Sequence, residues 1–499
     1  MFEKSRYLII LLLIIIVQDA ASQNSQVLYY MNLPQNHLLN PALTPSNSFY
    51  LGVPALTGIN LNINNNFVNF SDVIMPNQKG DSLISFLHPS YNVDNFIKKL
   101  KTINSIEPEI NIQLLGMGFK AGKSLYVSLD VTERVLGNFA LPKDLFVLAL
   151  KGNNYFLGNT IDLSGLDARL QYFHEFGMGL SKNFGNKLRI GVRGKLLFGV
   201  ANFSMNNKSL GLTVNNDYSW DFNADLSASI SGPVKVYMNN KNMIDSVVFD
   251  NKKFQKPGSD QTDINKVVSF FTNTKNMGFG VDLGAVYQVT DRINLSASVT
   301  DLGFINWKSD VTNLKASSTF KFNGFNITDV VNGTKTMDQL AQDMVDSLKN
   351  SFTINKNNQS FRTYLPVGIS VGGSFNLTKS LALGILSHTV MAGKQIREAL
   401  TLSANLNLGN AFSTSISYSA ENYSYNNLGA GIALRLGLLQ IYFITDKIPV
   451  MWNKIVSNNS TIPLPDNWNT INLRLGLNLA FGNKVKKKND KPMLTEQKK

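Results

Sequence analysis

Asn472-Leu-Arg-Leu-Gly-Leu-Asn-Leu-Ala-Phe481 decides the fold class. Leu473, Leu475, Leu477, Leu479 and Phe481 alternate with Asn472, Arg474, Gly476, Asn478 and Ala480. Successive strand side chains point to opposite faces, so as a β-strand this stretch has one wholly apolar face and one small or polar face. The same period of two recurs upstream. Leu402, Ala404, Leu406 and Leu408 alternate with Ser403, Asn405 and Asn407. Phe412 to Tyr418 and Ile293 to Thr300 behave likewise.

A soluble sandwich also alternates, so period alone leaves the architecture open. Three features favour a membrane. Many segments reach the length of about 9–11 residues that a tilted membrane strand needs. Their polar faces are rich in Gly, Ser and Asn, which a wet or plugged lumen tolerates. Short turns near Ala121–Lys123, Asn183–Lys187, Thr290–Arg292, Leu377–Ser380, Leu408–Ala411 and Gly437–Leu438 alternate with longer connections at 303–363, 391–397, 421–426 and 446–469. That asymmetry belongs to outer-membrane barrels. The reading is all-β: a transmembrane antiparallel β-barrel of about 14 strands, with 16 the alternative. Both ends of the wall fall on the short-turn side. Region 205–276 needs one more strand, and Val234–Met238 is the candidate. Met337 to Leu348, Ile264 to Phe271 and Pro142 to Leu150 read as short helices in long loops.

Lys4 and Arg6 precede the apolar run Tyr7 to Val17, and Ala20-Ala21-Ser22 follows. This reads as a cleavable secretory signal over 1–22. Absence of cysteine excludes a lipoprotein anchor, disulfides and cysteine metal sites. Residues 23–55 carry Pro34, Pro41, Pro45 and Pro54 without periodicity and read as a plug or a periplasmic segment. The barrel is expected over 56–482 and a basic periplasmic tail over 483–499. That tail supplies seven lysines toward a net charge of +13. The other basic residues are spread through strands rather than clustered with aromatics, which argues for lipid head groups and against nucleic acid.

In one strand Leu188, Ile190 and Val192 face one way, and Arg189, Arg193 and Lys195 the other. A later segment puts Trp220 and Phe222 outside and Asp221 and Asp225 on the polar side. Charge on the lipid face costs about 2–4 kcal/mol for Arg or Lys near the midplane, so all five are expected in the lumen, where the basic and acidic faces would meet. They either line a conduit or form a stiffening network. Gly278-Phe-Gly-Val-Asp-Leu-Gly284 lacks the strand–turn–helix setting of a nucleotide loop and suits close lumen packing instead. The four histidines are scattered and no nucleophile elbow occurs, so no enzyme, cofactor or metal is expected. Trp220, Trp307, Trp452 and Trp468 are candidates for the interfacial aromatic girdle, with core packing the alternative.

Arg474, Gly476, Leu479 and Phe481 resemble the terminal signal by which barrel-assembly machinery recognises its clients. Leu39-Asn-Pro-Ala-Leu43, followed by Leu51-Gly-Val-Pro54, resembles the start of the fatty-acid-transporter-like (FadL-like) outer-membrane proteins, through Asn40, Pro41 and Ala42. Glu175-Phe-Gly177, Asp301-Leu-Gly-Phe-Ile-Asn-Trp307, Arg362-Thr-Tyr-Leu-Pro366 and Thr445-Asp446 resemble an uncharacterised barrel family related to the PorV and PorP proteins of type IX secretion. The resemblance implies 14 strands, an N-terminal plug and, for true fatty-acid transporters, passage of hydrophobic ligands through the wall. Two functions follow as expectations: passive transport of small hydrophobic compounds, or a non-transporting scaffold with a secretion-system protein as partner. Outer-membrane lipid and lipopolysaccharide would surround either.

Overall fold

The alternation closes on itself. The computed structural model describes residues 26–482 except 78, 80, 241–242, 324–333, 394, 422–423, 458–459 and 467–468. The signal, the basic tail and Trp468 lie outside the described residues. The wall is a closed 14-stranded antiparallel barrel. In chain order its strands are β1 (Phe49–Gly52, continued by Gly58–Asn65), β2 (Ile103–Ala121), β3 (Leu125–Pro142), β4 (Asp167–Phe184), β5 (Leu188–Val214), β6 (Met277–Gln288) and β7 (Ile293–Trp307). They continue with β8 (Phe361–Tyr364, then Val367–Asn376), β9 (Leu381–Ala392), β10 (Gln395–Leu408), β11 (Phe412–Glu421), β12 (Ser424–Leu436), β13 (Leu439–Ile448) and β14 (Thr470–Phe481). Each pairs with its sequence neighbour, and β14 closes on β1 through Phe49 opposite Phe481. Both ends of the wall therefore share the short-turn side.

The burial pattern is inside out by the standard of soluble proteins. Phe176, Met178, Leu180, Leu402, Ile416 and Phe443 are exposed on the outer face. Ser403, Asn405, Ser415, Ser417 and Asn478 are buried on the inner one. Such an apolar band facing outward is stable only in lipid. Among the described residues no helix is long and apolar enough to cross a membrane.

The wall begins at Phe49, inside the stretch 23–55, and everything described before it lies in the lumen. A short helix, Gln26–Tyr29, and a 3-10 turn, Pro34–Leu38, are buried along most of their length. The three loop helices form. Lys143–Lys151 follows Pro142 as its N-cap, Ile264–Phe271 has the expected bounds, and Met337–Asn350 starts at a Thr336/Gln339 capping box.

Region 205–276 departs from the sequence reading. No further wall strand is needed, because strand Trp220–Ser231 does not cross. β5 runs for 27 residues and projects beyond the rim. Its outer half, from Asn202, pairs with Trp220–Ser231, which pairs in turn with Val311–Phe322. Val234–Met238 pairs only with Ile244–Phe249, in a separate hairpin. The chain then returns to the rim and re-enters the wall as β6, so the strand number stays even.

This geometry corrects the assignment of Asp221 and Asp225 to the lumen. Both sit on the projecting sheet, Asp221 exposed and 3.9 Å from Lys321, and Asp225 half-buried and 4.0 Å from Lys208. Trp307 is also not in the girdle. It is fully buried inside the mouth and donates from Nε1 to Thr363 Oγ1 at 2.8 Å.

Candidate functional site

The inner face of β3 to β7 carries an ionic layer. The phase of each strand puts Asp130 and Arg134 of β3, Glu175 of β4, Arg193 and Lys195 of β5 and Asp282 of β6 on that face. Asp301 of β7 arrives differently. Its φ of +61° is a left-handed kink that re-aims one side chain inward against the alternation. Arg193 is 1% exposed; its guanidinium bonds Asp130, Glu175 at 2.6 Å and Asp282 at 2.9 Å. Lys195 Nζ lies 2.7 Å from Asp282 and 2.5 Å from Asp301. Arg134 reaches Glu175 and Asp301, each at 2.8 Å. Asp282 also accepts the Asp301 backbone N–H at 2.7 Å. Three cations thus face four carboxylates, and His37 of the lumenal segment lies 3.7 Å from Asp130. Gly177 leaves room for the Arg193 guanidinium, into which any Cβ there would run.

On the outer side an apolar layer caps these charges: Phe173, Leu197, Ile305, Trp307, Val311 and Leu365. On the inner side lies the plug. Asn40 folds the Asn-Pro-Ala element into an Asx turn, accepting the Ala42 N–H at 2.9 Å. Its amide donates to Tyr29 Oη at 3.0 Å and to Ala297 O at 3.3 Å. Pro41 and Ala42 press on Gly191 of β5, and Asn40 on Gly284 of β6. A Cβ at either glycine would overlap them. Arg189 bonds the plug's Thr44 at 2.6 Å rather than joining the ionic layer. Gln35 and Asn478 exchange amide hydrogen bonds of 2.8 and 3.1 Å, and the Val27 N–H meets Asp446 at 2.8 Å. Tyr30 Oη lies 2.7 Å from Ile385 O and 3.0 Å from Gly373 O, which share its one proton. Burial pushes the Tyr29 and Tyr30 phenols up, so both stay neutral.

A cavity of about 140 Å³ remains between plug, ionic layer and wall. Leu38, Leu39, Leu136 and Val390 give it an apolar side, and Asn111, Gln113, Thr132 and Arg134 a polar one. Asn111 Oδ1, Thr132 Oγ1 and Arg134 Nε are buried with no protein hydrogen-bond partner. Orphaned polar atoms cost about 1–3 kcal/mol each, which a bound polar group or solvent relieves.

The cavity reaches Gly58, next to an irregularity in the wall. Between the two parts of β1, residues 53–57 bulge outward, with Ala55 at φ +61° and Leu56 exposed. The bulge stays tied to both neighbours, Val53 N to Leu477 O at 3.1 Å and Ala55 N to Leu114 O at 3.0 Å. Inward, the Thr57 carbonyl accepts from Tyr442 Oη at 3.0 Å and from the plug's Gln35 at 3.2 Å. Arg474 lines the same cavity, and Gly476 leaves space for the Thr57 carbonyl and the Tyr442 ring. Leu479 and Phe481 point outward, and the Phe481 ring packs on Phe49 at 5.4 Å.

Of the residues singled out in the sequence, the structure brings Arg193 and Lys195 together, gathers Asn40, Pro41 and Ala42 beside them, and separates Asp221 and Asp225. It adds Asp130, Arg134, Glu175, Asp282 and Asp301.

A model described as a family of unknown function, DUF5723, matches residues 41–446. Solved structures to which the chain is similar include a monoaromatic hydrocarbon channel, the TodX deltaS2S3 mutant, at 9% identity and TM-score 0.42, covering 93% of this chain and 96% of that one. A Pseudomonas aeruginosa FadL homologue is 11% identical with TM-score 0.40, covering 93% and 100%. The Ralstonia pickettii toluene transporter TbuX is 8% identical with TM-score 0.41, covering 93% and 97%. No curated protein matches.

Proposed function

The chain belongs to the DUF5723 family of unknown function, and from that premise we propose that it is an outer-membrane barrel through which small hydrophobic compounds carrying one polar group pass without an energy source. The observation that carries this is the cavity with an apolar and a polar side, set between the plug and a bulged place in the wall. Its apolar side suits a hydrocarbon body. Its orphaned Asn111, Thr132 and Arg134 atoms suit a polar head. The bulge at 53–57 exposes Pro54, Ala55 and Leu56 to lipid and is bonded to the plug through Thr57. A shift of the plug is therefore felt at the wall, which supports a lateral exit.

Uptake into liposomes tests it. Vesicles holding the purified barrel should take up a small apolar acid or amide faster than empty vesicles. Val390→Trp, which fills the cavity, should slow that uptake several-fold while the barrel still folds. Equal rates in loaded and empty vesicles, across several such probes, would sink the reading.

One observation favours a second reading. The plug is held by hydrogen bonds along its length, and a large sheet projects beyond the rim. A sealed barrel presenting that sheet to a protein partner, secretion-associated or otherwise, needs no transport. Absence of uptake together with a partner retained through mild solubilisation would select it.

A further inference from the structure

The segment between the projecting sheet and β6 carries an unpartnered amphipathic helix. In Ile264–Phe271, Ile264, Val268 and Phe271 stand at positions i, i+4 and i+7 and are exposed, although all three are large and apolar. Val267 and Phe270 lie beside them on the inner part of the apolar arc, where Phe270 packs on Phe254 at 5.3 Å. Asn265 and Ser269 occupy the opposite, polar face. The helix is tied to the outside of the barrel. His174 bonds the Phe271 carbonyl through Nε2, and the Tyr172 ring lies 6.2 Å from that of Phe271. Tyr172 and His174 share the strand phase of Leu170, Phe176, Met178 and Leu180, the lipid-facing side of β4. The helix thus sits on the upper edge of the apolar band, six residues before β6 enters the wall at Met277.

Its surroundings are basic. Segment 250–275 holds Lys252, Lys253, Lys256, Lys266 and Lys275 against Asp250, Asp260 and Asp263. Asp250 pairs with Lys235, and Asp263 caps the helix through the Asn265 N–H. Lys253 is turned to Asp310 and the Phe270 ring, whereas Lys252, Lys256 and Lys275 are exposed.

We propose that Ile264–Phe271 is an interfacial anchor that lies in the membrane surface, with Ile264, Val268 and Phe271 among the acyl chains and the neighbouring lysines on the phosphates of an anionic lipid leaflet. An exposed apolar stripe continuous with the lipid-facing band and bordered by lysines is the signature of a helix lying in a bilayer surface. A protein partner would have to displace lipid from the same edge. The inference rests on the membrane placement of the barrel and on nothing in its transport.

The chain has no cysteine, so single labels are clean. Val268→Cys, Ser269→Cys and Phe176→Cys, each carrying an environment-sensitive fluorophore, are reconstituted as full-length barrels in vesicles with lipid-borne quenchers. Phe176→Cys reports the wall itself. Val268→Cys should be quenched nearly as strongly, and Ser269→Cys should remain in water. Neutralising Lys252 and Lys275 to Gln should weaken Val268 insertion in vesicles containing phosphatidylglycerol, by roughly five-fold per lysine, and leave neutral vesicles unchanged. A quenched Phe176 label beside an unquenched Val268 label overturns the anchor while leaving the barrel in its membrane. An unquenched Phe176 label overturns the membrane placement and the anchor with it. Quenching at Val268 that ignores both lysines and lipid charge overturns the anionic contact.

Discussion

At the scale of residues the lumen is organised by Arg193. It is nearly inaccessible and bonds three carboxylates, which lie 63, 18 and 89 residues away in sequence for Asp130, Glu175 and Asp282. Removing one partner of a buried ion pair costs about 3–5 kcal/mol, because the other charge is left uncompensated. Arg193→Met should therefore lower barrel stability by about that amount in urea unfolding. Lys321→Met, whose partner Asp221 lies 3.9 Å away on the exposed projecting sheet, should cost about 1 kcal/mol or less. Equal losses would refute the central place given to Arg193. Strand phase alone made Arg193 and Lys195 legible as inward residues, and the same phase in Leu125–Pro142 points Asp130 and Arg134 inward. The partners were missed for two physical reasons. Pairing in a barrel joins residues by register rather than by order along the chain. And Asp301 sits at a kink that breaks the very period by which it would be found.

At the scale of elements, β5 shows what period two does not encode. Its alternation changes phase at a bulge beside Val200, where the projecting part begins, and again beside Lys208, yet one strand runs through both, so a change of phase marks neither a strand end nor a turn. Trp220–Ser231 alternates as well as any wall strand, yet it pairs beyond the rim, and Asp221 and Asp225 go with it. Exposed ion pairs contribute about 0–1 kcal/mol, since water already solvates both charges. Asp221→Asn with Asp225→Asn should accordingly leave unfolding within about 0.5 kcal/mol of the parent. A loss of several kcal/mol would return both residues to a buried lumenal network. Turn lengths and strand lengths, by contrast, could be read directly. Short connections demand antiparallel neighbours, and the six short turns found in the sequence all join adjacent wall strands. The plug's location was open because its contacts are with Gly191, Gly284 and Asn478, none of which shares a sequence pattern with it.

At the scale of the whole molecule, the even strand number and the side on which the short turns lie fix one orientation. An outer-membrane barrel keeps short turns in the periplasm and long loops outside. By that rule the projecting sheet, the Ile264–Phe271 helix and the Met337–Asn350 helix are expected to face the exterior, and the plug to enter from the periplasmic side, where Phe49 and Phe481 meet. Single cysteines test this in intact cells with a membrane-impermeant reagent. Lys252→Cys and Met337→Cys should label. Lys123→Cys and Leu438→Cys, in the turns after β2 and β12, should label only once the outer membrane is permeabilised. The plug sharpens the expectation. Buried side chains from Val27 to Leu43 occupy the lumen beneath the ionic layer, so the reagent is expected to find no route through the barrel to those turns. Labelling at Lys123 in intact cells, with the loops also labelled, would mean that the plug leaves a water path. The reverse pattern, turns labelled and loops silent, would invert the barrel and remove the lipid leaflet on which the helix anchor depends.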